Sequence, residues 1–241
     1  MIGRWGAACR RRRTAALTIQ ARSSAPRFHL HRRRRLQRRS RSRRPSAACR
    51  SPQRSRPGRG TSGARDVLHC SPLDLPADAE HLADFLTCQP WPFHVRERWT
   101  REQALTSAAN GSWTGPHTQT HWLLADGERT GLVRFDDVDD GTPLFDLRID
   151  AHRGRGLGTA AVRWLSAHLS ERDAQLQRIE ATTRADNSAM RAVLQRCGFV
   201  KESHWRATWP DQSGRLLDGI GYGLLRADWV SGTTTPVRWD A

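Results

Sequence analysis

From residue 66 onward the apolar residues recur with spacings that switch between about 3.6 and 2, the marks of helices interleaved with strands. Val67–His69 reads as a short first strand. Ala79, Leu82, Ala83 and Leu86 then share one face of a helix over Ala77–Leu86. An aromatic turn, Trp91-Pro92-Phe93-His94, follows, and Thr100 is placed to cap a second helix through Ala108. His121–Ala125 and Arg129–Phe135 predict two strands joined at Asp126-Gly127, a dipeptide suited to the positive φ angles of a tight hairpin. Asp136–Gly141 makes a second turn and Leu144–Ile149 a third strand.

A glycine-rich loop, Arg153–Gly158, then opens a helix to about Leu169, with Ala161, Trp164, Leu165 and Leu169 along its apolar face. Arg178–Thr183 is a β-branched strand. Asp186-Asn187 supplies capping chemistry for a helix carrying Met190, Val193, Leu194 and Cys197 at i, i+3, i+4 and i+7, and Gly198 stands at its C′ position. Phe199–Thr208 and Gly219–Leu225 predict two closing strands. The order β-α-α-β-β-β-α-β-α-β-β describes an α/β (α+β) domain with an antiparallel meander, not a regular βαβ repeat.

Charge divides the chain sharply. Its 241 residues hold 40 basic and 24 acidic side chains, a formal +16, which taken whole suggests a nucleic-acid or membrane-surface binder. Residues 1–65 contain 21 arginines and no Asp, Glu or Lys, leaving 19 basic against 24 acidic side chains in 66–241, a net −5. An arm so rich in like charge and poor in apolar residues cannot offset the entropy of ordering, so 1–65 is expected to be disordered. Three explanations compete for it: phosphate contacts to RNA or DNA, a targeting segment, or a stretch read from a mis-assigned start codon. The use of arginine almost to the exclusion of lysine (Lys201 alone) fits the last, because GC-rich coding regions leave Arg-rich open frames. The expected organisation is therefore an arm at 1–65, a domain at 66–230 and a loose tail at 231–241.

Other classes fall away. No stretch approaches 18 consecutive apolar residues, so neither a membrane span nor a membrane partner is expected. The five cysteines are scattered, odd in number and without CxxC spacing, which argues against a disulfide framework or zinc cluster and for a reducing, cytoplasmic setting. The acidic turn Asp136-Asp137-Val138-Asp139-Asp140 lacks EF-hand spacing and reads as a soluble hairpin tip or as a lure for a cationic amine. No metal is expected.

The sharpest local signal is His152-Arg153-Gly154-Arg155-Gly156-Leu157-Gly158-Thr159, between a strand and a helix. Glycines let the chain turn tightly, unpaired N–H groups at the helix start favour a phosphate, and Arg153 and Arg155 suit a diphosphate. A dinucleotide fingerprint fits poorly, because the third glycine comes one position early at Gly158, and no Gly-Lys-Ser/Thr of a P-loop follows.

These residues resemble a family. The run Arg153-Gly154-Arg155-Gly156-Leu157-Gly158 is similar to the Arg-x-x-Gly-x-Gly loop of GNAT N-acetyltransferases. Asn187 opening a helix that ends in Gly198-Phe199 resembles their second hallmark, and Tyr222–Trp229 looks like the last strand of the RimJ/RimL-type branch. The resemblance covers about 67–230. It implies the GNAT fold, with a mixed, mostly antiparallel sheet of about six or seven strands and about four helices. It implies acetyl transfer from acetyl-CoA to a primary amine, either a protein N-terminus or a small molecule, in a monomer or homodimer. It also implies that the backbone from Leu147 to Ile149 binds pantetheine, that Arg153, Gly154, Arg155, Gly156, Leu157, Gly158 and Thr159 hold the diphosphate, and that Asn187 touches the cofactor or simply caps its helix. The alternative function is nucleic-acid binding through the arm, with the domain only binding CoA.

Direct attack on a thioester requires the amine to lose a proton and the thiolate to gain one. Relatives often place a Tyr or a Ser where this chain has Leu194 and Met190, so water is the expected thiolate acid. Glu180 and Asp146, on the strands flanking the loop, are the candidate bases. His94 is a lesser one, better suited to lining the acceptor pocket. Cys197 continues an apolar face and reads as core.

Overall fold

The structure is a computed structural model that describes residues 68–150 and 154–239. The expectations for the arm and for Val67 lie outside the described residues, and so does that for Arg153. Seven strands form one sheet: β1 (His69–Pro72), β2 (Thr118–Ala125), β3 (Glu128–Asp136), β4 (Leu144–Ile149), β5 (Arg178–Arg184), β6 (Val200–Pro210) and β7 (Leu216–Leu225). Their order across the sheet is β1-β2-β3-β4-β5-β7-β6, and every neighbouring pair is antiparallel except β4 and β5. The helices are α1 (Ala79–Thr87), α2 (Arg101–Ala109), α3 (Leu157–Arg172), α4 (Ser188–Arg196) and α5 (Arg226–Ser231). None of the described helices is long and apolar enough to cross a membrane.

Side-chain alternation along the strands sends the apolar residues to two cores. Leu123 and Val133 join Ile179, Ala181, Ile220 and Tyr222 beneath α3 and α4. Their neighbours Trp122 and Leu132 face the other way, into a cluster with α1, α2, Trp91 and Trp113. The sheet is thus the middle of three layers, and any gap in it opens towards both helical layers.

Local chemistry sets the element ends. Asp126 and Gly127 both take positive φ, 55° and 81°, as the β2–β3 hairpin requires. Thr100 and Gln103 form a reciprocal capping box at α2. At the end of α4, Gly198 has φ 84°, Phe199 N–H donates to Leu194 O (3.0 Å) and Gly198 N–H to Gln195 O (3.1 Å), which is a Schellman closure.

The chain departs from the sequence expectations mainly at its end. Strand pairing of β7 stops at Leu225, and Arg226–Ser231 turns into α5, so Tyr222–Trp229 is not strand throughout. Asp228 explains the turn. Its carboxylate accepts from the Thr235 backbone N–H (2.9 Å) and hydroxyl (2.7 Å), folding the following chain back onto the helix.

A partly buried aromatic group on the α3 side, centred on the buried His121, gives a pH test of the fold. The His168 ring stacks on Trp164 (4.8 Å, 15°) and meets His121 edge-on at 5.0 Å. Burial, reinforced by the positive potential of His168 and Arg172, pushes the His121 pKa down to about 4. The unfolded chain therefore takes up a proton near pH 6.5 that the folded chain refuses until about pH 4, so stability is full above 6.5 and lost as pH falls through that window. Between pH 7 and pH 5 the loss from His121 is about 2 kcal/mol. Urea unfolding of the wild type and His121→Phe at both pH values should show a markedly smaller drop for the variant; equal drops would contradict the account.

Candidate active site

The sheet contains one built-in split. β4 pairs with β3 along its whole length, from Asp136↔Leu144 to Gly131↔Ile149. On its other side it meets β5 only at Leu144↔Glu180, where Glu180 N–H donates to Pro143 O at 2.9 Å. Beyond that point the two parallel strands part. Backbone groups alternate sides along a strand, and Asp150 N–H donates to Thr130 O (3.0 Å) on the β3 side. The even-numbered residues therefore serve β3, while the backbones of Phe145, Leu147 and Ile149 lie along the split. Ile149 O also accepts from Gln89 Nε2 at 3.4 Å.

The loop after β4 leads into α3 at the open end of this split. Gly154 and Gly156 have φ 86° and 87°, in the left-handed region that other residues enter only at a cost. Gly156 is the N-cap of α3 and gives it no side-chain cap, whereas Thr100 and Asn187 cap α2 and α4. The first N–H groups of α3 thus have no intrahelical acceptor and no side-chain cap from Gly156. No described atom approaches within 4 Å of where a Cβ would sit at Gly154 or Gly156, so the described part of the loop keeps an open backbone. Leu157 is buried, and Gly158 allows α3 to approach Val193 of α4 and Ile149 of β4. Arg155 pairs with Asp126 of the β2–β3 turn at 3.5 Å. Thr159 is half-buried, and its hydroxyl meets Arg196 Nη2 at 3.5 Å.

Asn187 stands at the corresponding end of β5. Its Oδ1 accepts from Met190 N–H (3.2 Å) and its Nδ2 donates to Thr183 Oγ1 (3.0 Å), so the side chain does serve as a cap. Leu194 is fully buried in the α3–α4 core, and that position offers no acid. The Cys197 thiol meets Thr159 O at 3.7 Å and burial raises its pKa, as expected of a core residue rather than a nucleophile.

The opposite face of the split is crossed by the segment 88–100, here called the strap. Gln89 reaches Ile149 at the end of β4, and at the other side Arg184 of β5 donates to Pro92 O (2.7 Å) with its guanidinium 4.9 Å from the Phe93 ring centre. On the same segment His94 Nδ1 lies 3.0 Å from Asp146 Oδ1, each side chain about 20% exposed. The other carboxylate oxygen of Asp146 accepts from Arg148 Nη2 at 2.9 Å. Arg148, 6% exposed, lies over the Trp91 and Trp113 rings, and its Nε and Nη1 are buried without hydrogen-bond partners. Burial of the Asp146 carboxyl opposes ionisation, but Arg148, His94 and, farther off, Arg134 outweigh it and hold the group well below the usual carboxylate range.

Glu180 projects from the same face of the sheet as Asp146, because Ile179 and Ala181 beside it enter the other core. It sits at the closed end of the split, with Arg178 Nε 3.1 Å from its carboxylate, and Arg178 in turn bonds Glu202. The two candidate carboxylates are therefore brought to one face but occupy different stations along it. Sequence reasoning missed Arg148 and Arg184. Opposite charges two apart on a strand, Asp146 and Arg148, share a face, and that was the available signal.

No group of three or more His, Cys, Asp or Glu side chains among the described residues is placed to hold a metal ion. The described cysteines, Cys70, Cys88 and Cys197, are free thiols.

A sheet split between two parallel strands, with a glycine-capped helix at its mouth, is the arrangement that the resemblance to acyl-CoA-dependent transferases implies. The chain belongs to the GNAT acetyltransferase domain family, whose pattern matches residues 71–200. It is an enzyme that transfers an acetyl group from acetyl-CoA to an amine. A probable acetyltransferase of known crystal structure is 24% identical and covers 67% of this chain and 94% of its own, with a TM-score of 0.57. The spermidine N-acetyltransferase from Vibrio cholerae, solved in complex with CoA and spermine, is 17% identical and covers 68% of this chain and 98% of its own, with a TM-score of 0.59. At these identities the likeness is one of fold. No curated protein matches the chain.

Proposed function

We propose that the β4–β5 split is the acetyl-transfer site, with acetyl-CoA entering on the α3–α4 side and a primary amine on the strap side. The observation that carries this reading is the meeting, at one split, of an open glycine backbone at a helix start and a buried charged pair on the opposite face. In this assignment the backbones of Leu147 and Ile149 hydrogen-bond pantetheine. Gly154, Arg155, Gly156, Leu157, Gly158 and Thr159, with Arg153, hold the diphosphate at the α3 start. Asn187 keeps its capping role and borders the pantetheine arm.

The amine nitrogen attacks the thioester carbonyl directly, the C–S bond breaks, and the thiolate takes its proton from water, since Leu194 and Met190 supply none. Asp146 and Glu180 are the carboxylates within the acceptor side. Asp146 is the better placed, because it lies on the parted stretch of β4, whereas Glu180 stands at the last paired position and is engaged by Arg178.

The acceptor is a protein N-terminus, as the RimJ/RimL-type resemblance suggests, or a small amine such as a polyamine. An acetyl-transfer screen tests this. Full-length protein with acetyl-CoA should release CoA in the presence of at least one member of a panel containing N-terminal peptides, spermidine and simple alkylamines. Absence of transfer across the panel, together with absence of acetyl-CoA binding by calorimetry, would overturn the reading.

A further inference from the structure

We propose that His94 is the general base of this site and Asp146 its positioning residue. The inference deepens the acetyl-transfer reading and rests on it. His94 lies on the strap just after Gln89 and Pro92, which anchor that segment to β4 and β5. Its Nδ1 is 3.0 Å from Asp146 Oδ1, which fixes the ring and favours the tautomer with the proton on Nδ1 and the lone pair on Nε2. The imidazole also meets the buried Trp91 indole edge-on at 6.0 Å and 82°, and Trp91 is itself tied to α1 by Nε1–H donating to Leu86 O at 2.9 Å. Asp146 is committed on its other oxygen to Arg148 and stays anionic, so it orients a base better than it serves as one. Among the described residues, Arg148 on β4 and Arg134 on β3 act on the Asp146 side of the pair, and Arg184 on β5, itself paired with Asp186, holds the strap at Pro92.

The step balances as follows. His94 Nε2 takes one proton from the ammonium form of the acceptor. The amine nitrogen bonds to the thioester carbonyl carbon, and the C–S bond breaks with its electron pair going to sulfur. The second N–H proton passes to the thiolate through water, and the imidazolium releases the first to solvent.

The test is the pH dependence of kcat/KM for full-length wild type, His94→Gln, His94→Ala and Asp146→Asn, each checked by thermal melting. His94→Gln should fall about 100-fold or more at pH 7 and should lose the acidic limb of the wild-type profile. Added imidazole should restore part of the activity of His94→Ala. Asp146→Asn should keep an acidic limb at a displaced pH. A folded His94→Gln within threefold of wild type with an unchanged profile, or no rescue by imidazole, would overturn the role of His94 while leaving acetyl transfer intact. A wild type that neither binds acetyl-CoA nor acetylates any amine would overturn both.

Discussion

Replacing Gly156 by valine should weaken acetyl-CoA binding at least tenfold, measured by isothermal titration of the full-length protein. The residue holds φ 87° as the N-cap of α3. A β-branched L-residue there costs about 1–2 kcal/mol if the backbone stays, and about 1.4 kcal/mol corresponds to tenfold in affinity. If the backbone instead relaxes, the first N–H groups of α3 swing away from the anion they would bind. No described atom lies within 4 Å of the added Cβ position, so collision with the described residues does not enter. Strain should therefore appear as a modest stability loss and the larger effect in the titration. A variant destabilised by that amount but binding acetyl-CoA as wild type does would remove the loop from the cofactor site.

The second large effect concerns stability. Asp146→Ala should destabilise the fold by about 3–5 kcal/mol, because it strands Arg148 as a buried cation that already has two nitrogens without partners. Arg148→Met should cost much less. It removes the buried charge, leaves an apolar chain against Trp91 and Trp113, and leaves Asp146 beside His94 and partly in contact with water. The double substitution should recover part of the Asp146→Ala loss in urea unfolding, and additive losses would contradict the pairing. The sign with pH follows from a carboxyl held low in the fold. Its contribution is fully present above pH 4 or so and is lost as pH falls through the depressed folded value.

Much of the frame was legible before the structure. Asp126-Gly127, Thr100 and Asn187 act locally, through φ preference or a single side-chain hydrogen bond, so their positions predict turns and caps directly. The split was different. Nothing in Leu144–Ile149 or Arg178–Arg184 says that two such strands should pair at one register and then part; only the family resemblance implied it. The strap was illegible for another reason. Residues 88–100 have no periodicity, and the contacts that lay them across the split come from 50 or more residues away, such as Gln89 to Ile149 and Arg184 to Pro92. His94 therefore looked minor until Asp146 was seen beside it. At the end of the chain, Asp228 bonds forward to Thr235, a local device that strand-like composition up to Leu225 concealed.

The three-layer arrangement has a consequence for the order of events. Helices α3 and α4 guard one side of the split, and the strap the other. Under the proposed assignment the donor and the acceptor come in by separate doors and meet only within the thickness of the sheet. Neither has to vacate its berth for the other to arrive, so both can be held at once in a ternary complex. With the partly buried Cys197 packed against the core and its thiol pKa raised, no side chain identified at the split needs to carry the acetyl group between them.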